Sequence, residues 1–212
     1  MKNEREIIRM FVGTDENRPA LLSPFRQDGK ICATDGHILI LIDESLCEEK
    51  YEEKPNGIKV PIVSKVIPVA DIGVPLLLLA HQLQVALDKA PEEKSRTCPE
   101  CGGDGSVMWR YTSSSDKEYS QHGKCPVCGG TGELDDYTPV KYQFMIYGSY
   151  FCYKHLKVIL NFMKLSGISE LRVLHHASIA DKGSPMLLST KGIEVLLMPQ
   201  FKDTHKNKIV VI

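Results

Sequence analysis

The chain has 212 residues, 42% of them hydrophobic, with 26 Lys plus Arg against 27 Asp plus Glu and a formal net charge of −1. That length and apolar content suffice for one sizeable core and a smaller appendage, and the charge balance excludes an overall cationic nucleic-acid binder, so any basic surface is local. The opening MKNEREIIRM holds no uninterrupted apolar stretch and no later run approaches the roughly 18 apolar residues of a bilayer span, so the sequence reads as a cytoplasmic protein.

Residues 2–11 have helical periodicity, with Ile7, Ile8 and Phe11 on one side and Lys2, Arg5 and Arg9 on the other, where Glu4 and Glu6 dilute the charge. Asn17-Arg18-Pro19 ends that segment. Strands are expected at 20–26, 30–34 and 38–42, separated by turns at Gln27-Asp28-Gly29 and Asp35-Gly36. Residues 58–69 read as strand-like. Residues 76–90 read as a helix, apolar on every side at Leu76-Leu77-Leu78-Leu79 and so expected against the core, with His81 as a satisfied core histidine.

Four of the seven cysteines come in pairs, Cys98-Pro-Glu-Cys101-Gly-Gly-Asp-Gly105 and Cys125-Pro-Val-Cys128-Gly-Gly-Thr-Gly132, one eight-residue pattern written twice. The two-residue spacing lets both thiolates of a knuckle reach one ion, and the glycines permit turns whose backbone N–H groups face sulfur. Four thiolates close a tetrahedron and leave no position for water, which points to one structural Zn²⁺ at Cys98, Cys101, Cys125 and Cys128. A redox pair would not explain the duplication. Cys32, Cys47 and Cys152 read as small core residues, and His122 is left outside the site. Between the knuckles, Val107-Met108-Trp109-Arg110-Tyr111 and the polar run after it suggest a hairpin arm, a zinc module over 96–134 to whose folding the ion would supply an apparent ~10–16 kcal/mol. The doubled pattern resembles the CxxCxGxG repeats of J-domain co-chaperones. Those carry four repeats and a J-domain with His-Pro-Asp, which this chain lacks, so no chaperone function carries over.

After the arm, a strand is expected over 141–151, a helix over 154–165, and strands over 170–175, 185–189 and 193–198, punctuated by Ser166-Gly167, Lys182-Gly183 and Lys191-Gly192. At about 100° per residue, Leu156, Ile159, Leu160 and Met163 form one stripe of the helix, with Lys154, Lys157, Asn161 and Lys164 opposite. His175 and His176, adjacent in a strand, would point to opposite faces and share no metal.

Both flanking segments thus read helix, strand, strand, strand. The run Thr14-Asp15-Glu16-Asn17-Arg18-Pro19-Ala20-Leu21, followed by Ala33-Thr34-Asp35-Gly36-His37-Ile38-Leu39, resembles the middle domain of bacterial DNA sliding clamps, the polymerase III beta subunits. Tyr150-Phe151-Cys152-Tyr153-Lys154-His155-Leu156, Leu171-Arg172-Val173, Ser184-Pro185-Met186-Leu187-Leu188 and Leu196-Leu197-Met198-Pro199 continue the likeness in order. The resemblance implies an α+β, DNA-clamp-like domain of two pseudo-repeated helix-plus-strands halves, 1–43 and 140–201, split by an insertion over 44–139 that holds the zinc module, with 202–212 as a C-terminal tail.

Clamp domains turn their helices toward duplex DNA, so the resemblance makes Lys2, Arg5, Arg9, Lys154, Lys157 and Lys164 candidates for sequence-independent phosphate contacts. A charged outer face is also what any solvated helix carries. In clamps the Thr-Asp-Gly-His turn and the C-terminal Met-Pro, drawn from adjacent domains, line a pocket for short peptides of polymerases and other replication proteins. The matching positions are Thr34, Gly36, His37, Leu39, Met198 and Pro199, while Ile38 and Gln200 depart from the family's arginine and methionine. No P-loop, G-x-S-x-G, H-E-x-x-H or acid pair occurs, so a non-enzyme is expected. Two functions follow from these features: a clamp-like DNA-associated or replication accessory protein, or a zinc-stabilised protein-interaction adaptor that keeps the fold without binding DNA.

Overall fold

A computed structural model describes residues 1–53, 57–69, 76–90, 95–135, 141–175, 185–201 and 207–212. In chain order it shows α1 (Glu4–Arg9), β1 (Phe25–Gln27), β2 (Lys30–Thr34), β3 (Ile38–Asp43), β4 (Leu76–Leu79), α2 (Ala80–Asp88), β5 (Ser95–Thr97), β6 (Ser106–Thr112), β7 (Glu118–Lys124), β8 (Glu133–Asp135), β9 (Lys141–Ile146), β10 (Ser149–Cys152), α3 (Tyr153–Ser166), β11 (Glu170–His175), β12 (Met186–Thr190), β13 (Ile193–Leu197) and β14 (Asn207–Val211). Two units separate: Met1–Ala90 with Tyr142–Ile212, and Pro91–Lys141. Segment 44–90, read above as part of the insertion, therefore contributes β4 and α2 to the first unit.

In the first unit the uninterrupted run Ile38-Leu39-Ile40-Leu41-Ile42 reflects a strand covered on both faces rather than one. It lies third in a seven-stranded antiparallel sheet of order β1-β2-β3-β13-β12-β11-β4. Pleating sends Ile31, Ala33, Ile38, Ile40, Ile42, Leu188, Val195 and Leu197 to one side, where they pack with Ile7, Ile8 and Phe11, with Leu83, Ala86 and Leu87 of α2, and with Leu156, Ile159, Leu160, Phe162 and Met163 of α3. The opposite side carries Cys32, Leu39, Leu41, Leu187 and Leu196, covered by Phe25 and by Val63 from the segment after β3. At about 1.5–3 kcal/mol for each buried aliphatic side chain, this two-sided burial is the main stabilising contribution.

The helix α1 is shorter than the periodicity of 2–11 suggests. Asn3 takes a left-handed conformation before it, and six residues hold as a helix only because Ile7, Ile8 and Phe11 are buried. The Phe11 ring meets the edge of Phe162 at 6.2 Å between centroids. Glu4, expected to dilute a basic face, is instead buried. It accepts hydrogen bonds from the backbone N–H groups of Glu48 and Glu49 and from the Tyr51 hydroxyl; burial works against its charge, but these donors outweigh it and lower its carboxyl below the ordinary value.

Several sequence expectations are corrected. Pro19 precedes and Pro24 interrupts 20–26, so a 3-10 turn forms at Pro19–Leu21 and the strand starts only at Phe25. Residues 58–69, interrupted by Pro61 and Pro68, contain a 3-10 turn at Val63–Lys65 and no strand among their described residues. Leu76–Leu79 is a strand paired with β11, not the first turn of a helix, and His81 at the start of α2 is exposed. Residues 141–151 fold into the β9–β10 hairpin, with Tyr147 and Gly148 both at positive φ in its two-residue turn. Asn207–Val211, within the segment read as a tail, is β14 and joins them in a three-stranded sheet of order β10-β9-β14. Cys32 is buried as expected, whereas Cys47 and Cys152 are only partly so. His176 lies outside the described residues.

Candidate functional site

In the second unit the cysteine knuckles follow β5 and β7, and each knuckle is locked by the other. The Cys98 N–H donates to the Gly132 carbonyl and the Cys125 N–H to the Gly105 carbonyl, both at 2.9 Å. A Cβ on Gly105 would lie 2.4 Å from the Gly130 oxygen, and one on Gly132 would lie 2.1 Å from the Gly103 oxygen; both glycines have positive φ. The backbones approach so closely that no side chain fits.

This packing brings the four Sγ atoms within 4.8 Å of one another. Cys98 to Cys125 and Cys101 to Cys128 are each 3.8 Å, and all four thiols are free of disulfides. A Zn–S bond of about 2.3 Å implies a tetrahedral edge of about 3.8 Å, so the donor set has the size and chemistry of a thiolate metal site. The Gly105 N–H reaches Cys101 Sγ and the Gly132 N–H reaches Cys128 Sγ, each at 3.3 Å. Burial disfavours a thiolate at Cys128, but the Gly132 and Gly130 N–H groups outweigh it and lower that thiol. Four buried or partly buried cysteines this close can hold one metal ion with no coordination position left for substrate. His122, on β7, is exposed and outside the cluster. Beyond the knuckles, β6 and β7 pair over their full length, and Tyr111 stacks on Tyr119 at 5.1 Å.

In the first unit, Thr34, Gly36, His37, Leu39 and Met198 line one cavity of about 210 Å³. Thr34 Oγ1 donates to the Ile38 carbonyl and accepts the Gly36 N–H, while Asp35 Oδ1 accepts the N–H groups of His37 and Ile38, so the turn is held by its own side chains. Met198 is tied to that turn through its N–H to the His37 carbonyl at 2.9 Å. The rest of the wall is Leu21, Phe25, Ile38, Pro61, Val63, Val66 and Leu196. Pro199 is the one expected pocket residue that does not line the cavity. Local patterning does not reveal Pro61, Val63 and Val66; the one hint is the apolar content of 58–69, which suggests a strand. The Val63 N–H donates to Gln27 Oε1 at 2.7 Å and pins this segment over the sheet.

Five of the six candidate DNA contacts lie on α1 and α3, and Lys2 precedes α1. Lys2, Arg5, Arg9, Lys154 and Lys164 are exposed and Lys157 is half-buried. Arg5 forms an ion pair with Glu49, the Lys157 ammonium lies 5.7 Å from the Tyr153 ring centre, and Lys164 donates to Gln84 Oε1 at 2.5 Å. The basic line is therefore denser on α3 than on α1, where Glu6 is also exposed. No helix among the described residues is long and apolar enough to cross a membrane.

No family model matches the sequence, and no curated protein matches it. Among solved structures, the chain is similar to the DNA polymerase III subunit beta of Borrelia burgdorferi in complex with a natural product, with a TM-score of 0.50 and 13% identity over 95% of this chain and 62% of that one. For the Caulobacter crescentus beta sliding clamp the TM-score is 0.48 at 13% identity, covering 95% of this chain and 65% of that one. For the beta subunit from Thermotoga maritima the values are 0.48, 13%, 96% and 65%. The chain spans less than two thirds of the length of these proteins, and at such identity the likeness is one of fold: a sliding-clamp-like arrangement of helices and strands.

Proposed function

We propose that this chain is a non-enzymatic, clamp-like accessory protein of DNA replication. The outer faces of α1 and α3 lie along double-stranded DNA without reading its sequence, and the cavity on the far side of the sheet receives an apolar side chain of a partner peptide. A zinc ion at Cys98, Cys101, Cys125 and Cys128 folds the arm. The observation that carries the reading is the convergence of Thr34, Gly36, His37, Leu39 and Met198 on one cavity, because the resemblance implies a common task for those positions. Its volume, about 210 Å³, is below the 300–1,000 Å³ typical of small-molecule pockets, which suits an anchor residue of a peptide.

Two meanders also support the clamp reading. α1 precedes β1-β2-β3, α3 precedes β11-β12-β13, and the two sets of strands meet at the β3–β13 pair, as two repeated halves would. Phosphate contacts by α3 lysines would be electrostatic and independent of sequence. Light scattering with and without a short blunt duplex tests the proposal: a DNA-dependent rise in mass is expected, and a mass indifferent to DNA at low salt contradicts it.

The adaptor reading, which keeps the cavity and the zinc arm without DNA, draws its support from the Arg5–Glu49 ion pair, since that pairing withdraws one of the α1 cations from phosphate. Peptide binding without DNA binding would favour it.

A further inference from the structure

Asp35, Cys152 and His155 come from a turn, a strand end and a helix, yet they form one connected chain of polar contacts. Cys152 ends β10 and is the N-cap residue of α3. Three residues on, His155 points its Nδ1 at Cys152 Sγ, 2.9 Å away, and its Nε2 at Asp35 Oδ2, 3.3 Å away. The second oxygen of Asp35 is held by the backbone of the turn, and the His37 ring stacks on His155 at 5.6 Å. His155 is buried, whereas Cys152 and Asp35 are partly exposed and His37 is exposed, so the chain of contacts runs close to the surface.

The electrostatics follow from those contacts. Burial alone would strip the proton from His155, but hydrogen bonds to Asp35 and Cys152 outweigh it and push its value up to about 9. Burial likewise opposes charge on Asp35, yet the contacts with His155 and the N–H groups of His37 and Ile38 hold its carboxyl well below the usual range. An imidazolium donates from both nitrogens, one to the carboxylate and one to sulfur. The first turn of α3 adds its unpaired N–H groups and positive dipole end beside the same sulfur. The two other cysteines outside the metal cluster lie in opposite surroundings: burial pushes Cys32 up to about 12, and burial together with the Glu4 charge pushes Cys47 up to about 11.

We propose that Cys152 is a nucleophilic thiolate, paired with the His155 imidazolium that Asp35 holds in place, and that it is a site of covalent modification by small soft electrophiles, hydrogen peroxide among them. In the peroxide reaction the sulfur lone pair attacks one oxygen, the S–O bond forms and the O–O bond breaks. Sulfur is oxidised to the sulfenic acid and the peroxide is reduced. The departing hydroxide takes the Nδ1 proton of His155 and leaves as water. Asp35 is a positioning residue throughout, since it contacts the imidazole and its own turn rather than the sulfur. Beside the sulfur stands His155, with Asp35 on its far nitrogen and the His37 ring stacked on it.

Iodoacetamide alkylation of the native chain, followed residue by residue by peptide mass mapping, tests this. At pH 6 an ordinary thiol is only ~0.3% ionised, and Cys152, paired with His155, is expected to react about tenfold faster than Cys47. His155→Gln should lower the pH 6 rate about tenfold and leave the rate near pH 9.5 within about twofold, a split that a merely structural role would not produce. Dimedone should trap a sulfenic acid at Cys152 after a stoichiometric dose of peroxide, and not in His155→Gln. A Cys152 rate at pH 6 no greater than that of Cys47, or a His155→Gln variant as reactive as the parent at pH 6, overturns the proposal.

Discussion

The Met198 N–H donates to the His37 carbonyl at 2.9 Å, and this one bond joins the turn after β2 to the end of β13. It holds these two elements of the first unit together beside the apolar cavity that both line. The expected ligand is correspondingly small. Titration with N-acetyl-Leu-Phe-amide, followed by backbone amide NMR shifts, should perturb Leu39, Val63 and Met198 before any residue of α3. Val63→Arg, which places a charge against the cavity wall, should abolish those shifts.

Trp109 is the only tryptophan and sits on β6 in the second unit, so its fluorescence reports the arm alone. Purified protein is expected to carry one zinc per chain. A strong chelator should change the Trp109 emission and leave the far-ultraviolet helical signal of α1, α2 and α3 nearly unchanged, because the arm has little core besides the thiols, Val107 and Leu134.

Gly132 makes a sharper test of the knuckle geometry than the cysteines do. Gly132→Ala places a methyl 2.1 Å from the Gly103 oxygen at φ +79° and should weaken metal binding at least about tenfold although every ligand remains. Gly129→Ala, at φ +65° with nothing within 4 Å of the added carbon, should cost about 1 kcal/mol of arm stability and retain the metal.

The His155–Asp35 pair sets a pH dependence whose sign is fixed by the raised value of the imidazole. Folded His155 keeps its proton up to about pH 9, whereas the unfolded chain releases it near 6.5, so the stabilisation is complete below pH 6.5 and is lost as pH rises through 9. Denaturant unfolding should show the free energy falling by up to about 2 kcal/mol across that window. His155→Gln should flatten this part of the profile.

What the sequence disclosed is what local spacing carries. The doubled cysteine pattern, the apolar stripe of α3 and the Thr34–Leu39 turn are each contained within a few residues, and the structure places all of them near where periodicity and spacing put them. Leu76–Leu79 departs from the helical expectation because four consecutive leucines fit a buried helix turn as well as a strand, and only pairing with β11 decides between them. The burial of Glu4 depends on donors more than forty residues away, and the His155–Asp35 contact bridges 120 positions. No pattern along the chain announces either. The wall that 57–69 adds to the cavity was hidden for the same reason, since prolines that break a strand do not say which surface the broken segment will cover.

The most direct test of the account is duplex binding by the α3 face, measured as fluorescence anisotropy of an end-labelled duplex against salt concentration. With Lys154, Lys157 and Lys164 as the principal phosphate contacts, log K should fall against log salt with a slope of about −3 and be the same for two unrelated duplex sequences. The combined Lys154→Glu, Lys157→Glu and Lys164→Glu variant should show no binding at low salt while its thermal unfolding stays close to that of the parent. Equal affinity in the parent and the triple variant, or no duplex binding by the parent at low salt, would contradict the account.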